Sequence, residues 1–161
     1  MYREALYNCA EMKRVLHREE AQRDPNLVWN EFIHLLTFSE VGELDSKQRP
    51  AHLPFWYDSE VQNGGHLQYF ENRPTELVGE TIRALAALGA SQQAAVLRSA
   101  SERWMSRRRV KPRTVDEYVE ESAKLEFEDL DNAYYGLSPS VTDMLENCLE
   151  SNRGSFIEFK S

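Results

Sequence analysis

Apolar residues in this chain recur at three- and four-residue spacings almost from end to end, and the strict alternation that builds a half-buried β-strand is nearly absent. That periodicity points to packed helices, and the punctuation between periodic stretches says how many. A first helix is expected over residues 2–21, with Tyr2, Leu6, Cys9 and Leu16 near one face. Asp24 and Pro25 are a natural cap and first helical residue for a second, whose Val28, Trp29, Phe32, Ile33 and Leu36 form a broad apolar stripe. A loop containing Gly42, Pro50 and Pro54 leads into a third helical stretch starting at Phe55, which Gly64 and Gly65 stop; a short helix over 66–72 follows. Pro74 and Thr75 open a helix over 76–88 that Gly89 closes, and Ser91 caps its antiparallel partner, which reaches Trp104.

Thr114 and Glu117 have the spacing of a capping box, so another helix begins there. It places Val115, Tyr118, Val119, Ser122 and Leu125 on one side and Asp116, Glu117, Glu120 and Glu121 on the other. Phe127 falls out of phase, which predicts a break near Glu126. Ser138 and Pro139 start a last helix carrying Val141, Met144, Leu145, Cys148 and Leu149. The expected fold is all-α, a single-domain bundle of about seven or eight helices over residues 1–161. Trp29, Phe32, Ile33, Leu36, Val61, Phe70, Leu85, Leu88, Tyr118, Leu130 and Leu145 are its expected core. With 161 residues, 41% of them apolar, such a chain stabilises one ordinary core without disulfide or structural metal.

The N-terminal stretch is charged at almost every turn and has no apolar secretory region, and nothing approaches the roughly 20 apolar residues of a membrane span. A cytoplasmic protein is expected. Cys9 and Cys148 read as buried small hydrophobes. Catalytic signatures are missing: no G-x-S-x-G elbow, no H-E-x-x-H, no Gly-rich phosphate loop. His17, His34, His52 and His66 have no second His or Cys at ligand spacing, so no metal, no cofactor and no enzyme are expected.

The densest cluster of polar and aromatic residues runs from 55 to 72 and gathers Asp58, Glu60, Asn63, His66 and Gln68 around Gly64 and Gly65. Two readings stay open. Asp58 or Glu60 acts as a base near His66 with the glycine amides binding an anion, as in a small hydrolase; or Asn63 and the glycines make a tight turn while Gln68 and Asn72 satisfy buried backbone groups.

Charge divides the chain. Residues 1–113 hold sixteen Lys/Arg and fifteen Asp/Glu, and residues 114–161 hold three and twelve, so the net −8 is concentrated near the C-terminus. If helical throughout, residues 114–131 carry one net negative charge per roughly 4 Å, against about 3.4 Å along one DNA strand. A basic run at 103–113 precedes this segment, and its arginines neutralise part of the acidic field if they fold back onto it.

The run E-V-x-N-G-G-x-x-Q-Y-F, carried by Glu60, Val61, Asn63, Gly64, Gly65, Gln68, Tyr69 and Phe70, resembles the bacterial DNA-mimic protein family. An alanine-rich helix closed by Gly89, then Tyr134 and Tyr135, agree in order and spacing. The resemblance covers about residues 50–157, with the helices of 2–44 packed on it. It implies an all-helical fold, no enzymatic activity and, for the family's namesake, an acidic surface that occupies the DNA site of a DNA-binding protein. The expected function is therefore an acidic binding protein acting through Asp116, Glu117, Glu120, Glu121, Glu128 and Asp131, with Glu60, Asn63, Gly64, Gly65, Gln68 and Tyr69 as a structural or binding motif. The expected partner is a basic DNA-binding protein, with no direct contact to nucleic acid or membrane and a homodimer left open. The alternative is an inhibitor or immunity-type protein that binds a toxin or enzyme.

Overall fold

The computed structural model describes residues 12–161 and wraps the chain around one long helix, α3 (Arg49–Asn72). Buried side chains surround α3 on every side, including Leu53, Tyr57, Val61, Leu67, Tyr69 and Phe70. A helix apolar all round has to sit in the middle. Against it pack α2 (Leu27–Phe38), α4 (Val78–Leu88), α7 (Glu128–Tyr135) and α8 (Val141–Asn152), while α5 (Ser91–Met105) lies on α4 and α7. With α1 (Arg18–Arg23) and α6 (Val115–Ser122), the described residues contain eight α-helices, and the fold is mostly helical. Of the expected core, Phe32, Leu36, Val61, Phe70, Leu85 and Leu145 are buried, and Trp29, Ile33, Leu88, Tyr118 and Leu130 pack against it partly covered. Cys148 is half-buried on α8. No helix of the described residues is long and apolar enough to cross a membrane.

Several boundaries differ from expectation, each for a local reason. The helix expected over 2–21 is interrupted: Arg14–His17 form a strand, β1, paired in parallel with β2 (Ile157–Lys160) in the register Arg14 to Ile157 through His17 to Lys160. Residues 2–11 of that expectation lie outside the described residues. A buried glutamine holds the pair together. Gln48 Nε2 donates to Met12 O at 2.6 Å and to Ser155 O at 3.0 Å, so one side chain satisfies a carbonyl just before each strand. The loop expected up to Pro54 is helical from Arg49. Pro50 sits in the first turn, where its missing N–H costs nothing, and Asp45 Oδ1 accepts from the Lys47 and Gln48 amides just ahead of the helix. The last helix begins at Val141, two residues later than expected, because Ser140 and Asp143 cap it reciprocally. Gly89 closes α4 at φ 94°, as its position suggested.

The largest departure is the roll of α6. Val115, Val119 and Leu125, expected to face inward, are 77%, 57% and 60% exposed, and Tyr118 is the side chain of this helix that packs on the core. The roll turns Glu121 inward, where Arg107 and Lys124 meet it. The same orientation leaves the two valines in solvent and sets Glu121 against the preceding basic run.

Candidate functional site

Gly64 and Gly65 break α3 into two helical halves at an elbow, Gly65 at φ 73° and ψ −174°, a region in practice reserved for glycine. A Cβ on Gly65 would stand 2.4 Å from Asp131 Oδ2 of α7. That closeness has a purpose: Asp131 Oδ1 accepts from the His66 backbone N–H at 2.9 Å and from His66 Nδ1 at 2.5 Å. His66 Nε2 in turn lies 2.8 Å from the Tyr57 hydroxyl. Two more bonds fasten α7 to the first half of α3, from Tyr134 OH to Asp58 Oδ1 at 2.6 Å and from Tyr135 OH to Val61 O at 2.8 Å.

The polar residues of the motif close the elbow from its other side. Glu60 accepts from Gln68 Nε2, Asn72 Nδ2 and Arg73 Nε at 2.8, 2.9 and 2.8 Å, and Gln68 Oε1 accepts from Asn63 Nδ2 at 3.1 Å. Burial pushes the Glu60 carboxyl up, but the hydrogen bonds from Gln68, Asn72 and Arg73 outweigh it and hold the group below the usual carboxylate range. The base-and-histidine arrangement of the hydrolase reading does not assemble. Asp58, Glu60 and His66 each engage a different partner, and His66 is fully buried with both ring nitrogens occupied. Burial also raises the Tyr57 hydroxyl well above its ordinary pKa, which suits a hydrogen-bonding strut and not a nucleophile.

The acidic segment is not one rod. It is broken after α6 by a turn in which Leu125 takes φ 53°, and α7 starts anew at Glu128. The basic run folds back onto it. Arg107 pairs with Glu121 at 2.5 Å and Glu126 at 2.9 Å, Arg109 with Glu126 at 2.5 Å, and Arg103 with Asp129 at 2.5 Å. Arg109 also lies 4.1 Å over the Trp104 ring, itself stacked on Phe70. Hydrogen bonds from Arg109, reinforced by Arg107, pull the Glu126 carboxyl down to about 2 against a smaller opposing effect of burial. Over residues 103–131 seven Lys/Arg face eight Asp/Glu, a local net charge of only −1. The negative field of this region therefore depends on which carboxylates remain unpaired.

Among the six carboxylates expected at an interface, Asp116, Glu120 and Glu128 are exposed and form no ion pair with the described residues. Glu117 is exposed and accepts from the Arg113 backbone N–H at 2.6 Å, one residue beyond the reach-back of an ordinary capping box, while Thr114 accepts from the Glu117 amide. Glu121 and Asp131 are partly covered and engaged internally. The structure also joins two candidates that stood apart in the sequence. Gly64, Gly65, Glu121, Glu128 and Asp131 line one cavity of about 230 Å³, with Glu126, Phe127 and Tyr135. Sequence reasoning missed the pairing of His66 with Asp131, 65 residues apart, and the clamp by Gln48; neither leaves a periodic signal. Among the described residues no group of three His, Cys, Asp or Glu is placed to hold a metal ion.

A family model described as DMP19-like protein matches residues 42–152, about two thirds of the chain. No curated protein and no solved structure matches it.

Proposed function

This chain belongs to the DMP19-like protein family, whose namesake is DNA mimic protein 19, and from that premise we propose that it is a non-enzymatic binding protein that occupies the DNA site of a basic DNA-binding protein. The supporting observation is the set of unneutralised carboxylates on α6 and at the start of α7. Asp116, Glu117, Glu120 and Glu128 stay exposed where Glu121, Glu126 and Asp129 are paired with arginines. Asp116 and Glu120 are one turn apart, about 6 Å along the axis, close to two phosphate steps of a single strand. A basic groove that releases counterions from phosphates finds a comparable row of charges here.

One observation favours a second reading, an inhibitor or immunity-type protein. Val115 and Val119 stand exposed beside Asp116 and Glu120, and a mixed apolar and acidic face suits an ordinary protein interface better than a pure phosphate surrogate. The two readings separate by experiment. The protein is immobilised, a binding protein is captured from its source cell, and duplex DNA is then applied. The mimic predicts release by DNA and loss of capture in the variant Asp116→Asn, Glu117→Gln, Glu120→Gln, Glu128→Gln, which keeps shape and removes four charges. A captured protein that DNA does not release contradicts the mimic and supports the inhibitor.

A further inference from the structure

A second cavity, on a different side of α3, uses the same motif for another purpose. It measures about 140 Å³ and opens between the end of α2, the turn at Glu40 and Val41, α3 and the start of α4. An apolar protein cavity of roughly 150 Å³ takes up benzene, so one six-membered ring fits. The walls are the rings of Trp56 and Tyr69 with Leu53 and Leu77. Their polar ends are satisfied elsewhere: Trp56 Nε1 donates to Leu36 O at 3.1 Å, and Tyr69 OH donates to Thr81 Oγ1 at 3.4 Å, which donates to Leu77 O at 2.9 Å. What these residues present is apolar surface.

Arg73 supplies the polar group. Its guanidinium lies 3.6 Å over the Trp56 ring, and Nε donates to Glu60 Oε1 at 2.8 Å. A guanidinium has five N–H donors in a planar fork, and the two terminal amino groups of Arg73 have no hydrogen-bond partner among the described residues. The one acidic residue of the lining, Glu40, has its carboxylate turned onto the Glu43 amide of its own turn. His52 shares the lining, with Nε2 3.1 Å from Ser39 O and so protonated there, while the buried Nδ1 has no partner. Burial lowers the His52 pKa against the opposing effect of its bond to Ser39 O, with smaller contributions from Arg73 and Arg49.

We propose that this cavity binds a small planar ring bearing a carboxylate, with the ring against Trp56, Tyr69 and the two leucines and the carboxylate on the free N–H groups of Arg73. Two motif residues then acquire a role beyond packing: Glu60 aims the guanidinium and Tyr69 forms a wall. The site is independent of the acidic face of α6.

Calorimetric and ligand-observed NMR titrations of the full chain with benzoate and with benzylamine test it. Benzoate is expected to saturate with a Kd of about 1 mM or tighter, and benzylamine to bind at least about tenfold more weakly. Arg73→Lys keeps a cation for Glu60 but loses the fork, and is expected to weaken benzoate about tenfold. Val41→Trp fills the mouth and is expected to abolish binding at an unchanged melting temperature. Should that variant melt lower, Leu77→Phe replaces it as the filling variant. Absence of saturation, equal binding of benzylamine, or benzoate binding that survives both Arg73→Lys and the filling variant overturns the proposal.

Discussion

Replacing Gly65 with alanine perturbs the elbow at its most constrained atom. Two costs are expected. The backbone must keep φ 73° and ψ −174°, which for a residue with a side chain costs about 1–3 kcal/mol. The new Cβ also stands 2.4 Å from Asp131 Oδ2, so the carboxylate must withdraw and loosen its two bonds to His66, each of a charge-assisted kind worth about 1.5–3 kcal/mol. Partial loss of those bonds brings the total to about 3–5 kcal/mol, a large share of the 5–15 kcal/mol that stabilises an ordinary domain. Urea unfolding followed by circular dichroism measures it, as a lower midpoint at unchanged slope. A double-mutant cycle separates the two costs. In an Asp131→Ala background the clash is gone, and Gly65→Ala is expected to cost only the backbone part. Gly64→Ala has no positive-φ cost, but its Cβ would stand 2.2 Å from Gln68 Oε1, so Gln68 must withdraw and loosen its bonds to Glu60 and Asn63, for an expected loss of about 1–2 kcal/mol. A Gly65→Ala cost below about 0.5 kcal/mol, or the same cost with and without Asp131, refutes this account of the elbow.

Gln48→Leu leaves the carbonyls of Met12 and Ser155 without their shared donor, and a loss of about 1–3 kcal/mol in the same unfolding assay is expected, together with faster amide exchange in β1 and β2. The Glu126 carboxyl, pulled down to about 2 by Arg109 and Arg107, stabilises the fold fully above its ordinary pKa of about 4.3 and loses that contribution as pH falls toward 2. Unfolding midpoints of Glu126→Gln measured from pH 6 to pH 2 should therefore fall less with acid than those of the wild type. Val115→Ser and Val119→Ser, being exposed, should each shift stability by no more than about 0.5 kcal/mol, whereas Tyr118→Ala should lower it measurably. Large losses from the valines would mean that α6 is packed the other way round.

The helical class and most helix ends were readable because they are written locally. Gly89, Thr114 and the break before Phe127 act within one or two turns, and the apolar stripes of α2 and α4 report their own burial. What escaped is what depends on distant partners. β1 has four residues, and its reason to be extended lies more than 130 positions further on, in β2 and in the Ser155 carbonyl that shares Gln48. The wheel of α6 put Val115, Tyr118 and Val119 on one side, yet only Tyr118 packs on the core, and the contact of Glu121 with Arg107, fourteen positions earlier, leaves no mark in the periodicity. For the site, the carboxylates of α6 were legible as a row, but which of them survive neutralisation was decided by the folding back of residues 103–109.

The claim that this acidic face stands in for DNA is tested most directly by mutual exclusion. Labelled duplex DNA is titrated with the captured basic protein at several fixed concentrations of this chain, across a salt series. The mimic predicts that the apparent Kd for DNA rises in proportion to the concentration of this chain, that the effect fades steeply as salt increases, and that Asp116→Asn, Glu117→Gln, Glu120→Gln, Glu128→Gln largely removes it. An apparent Kd that does not change with added protein, or one shifted equally by the wild type and the fourfold variant at low salt, contradicts it.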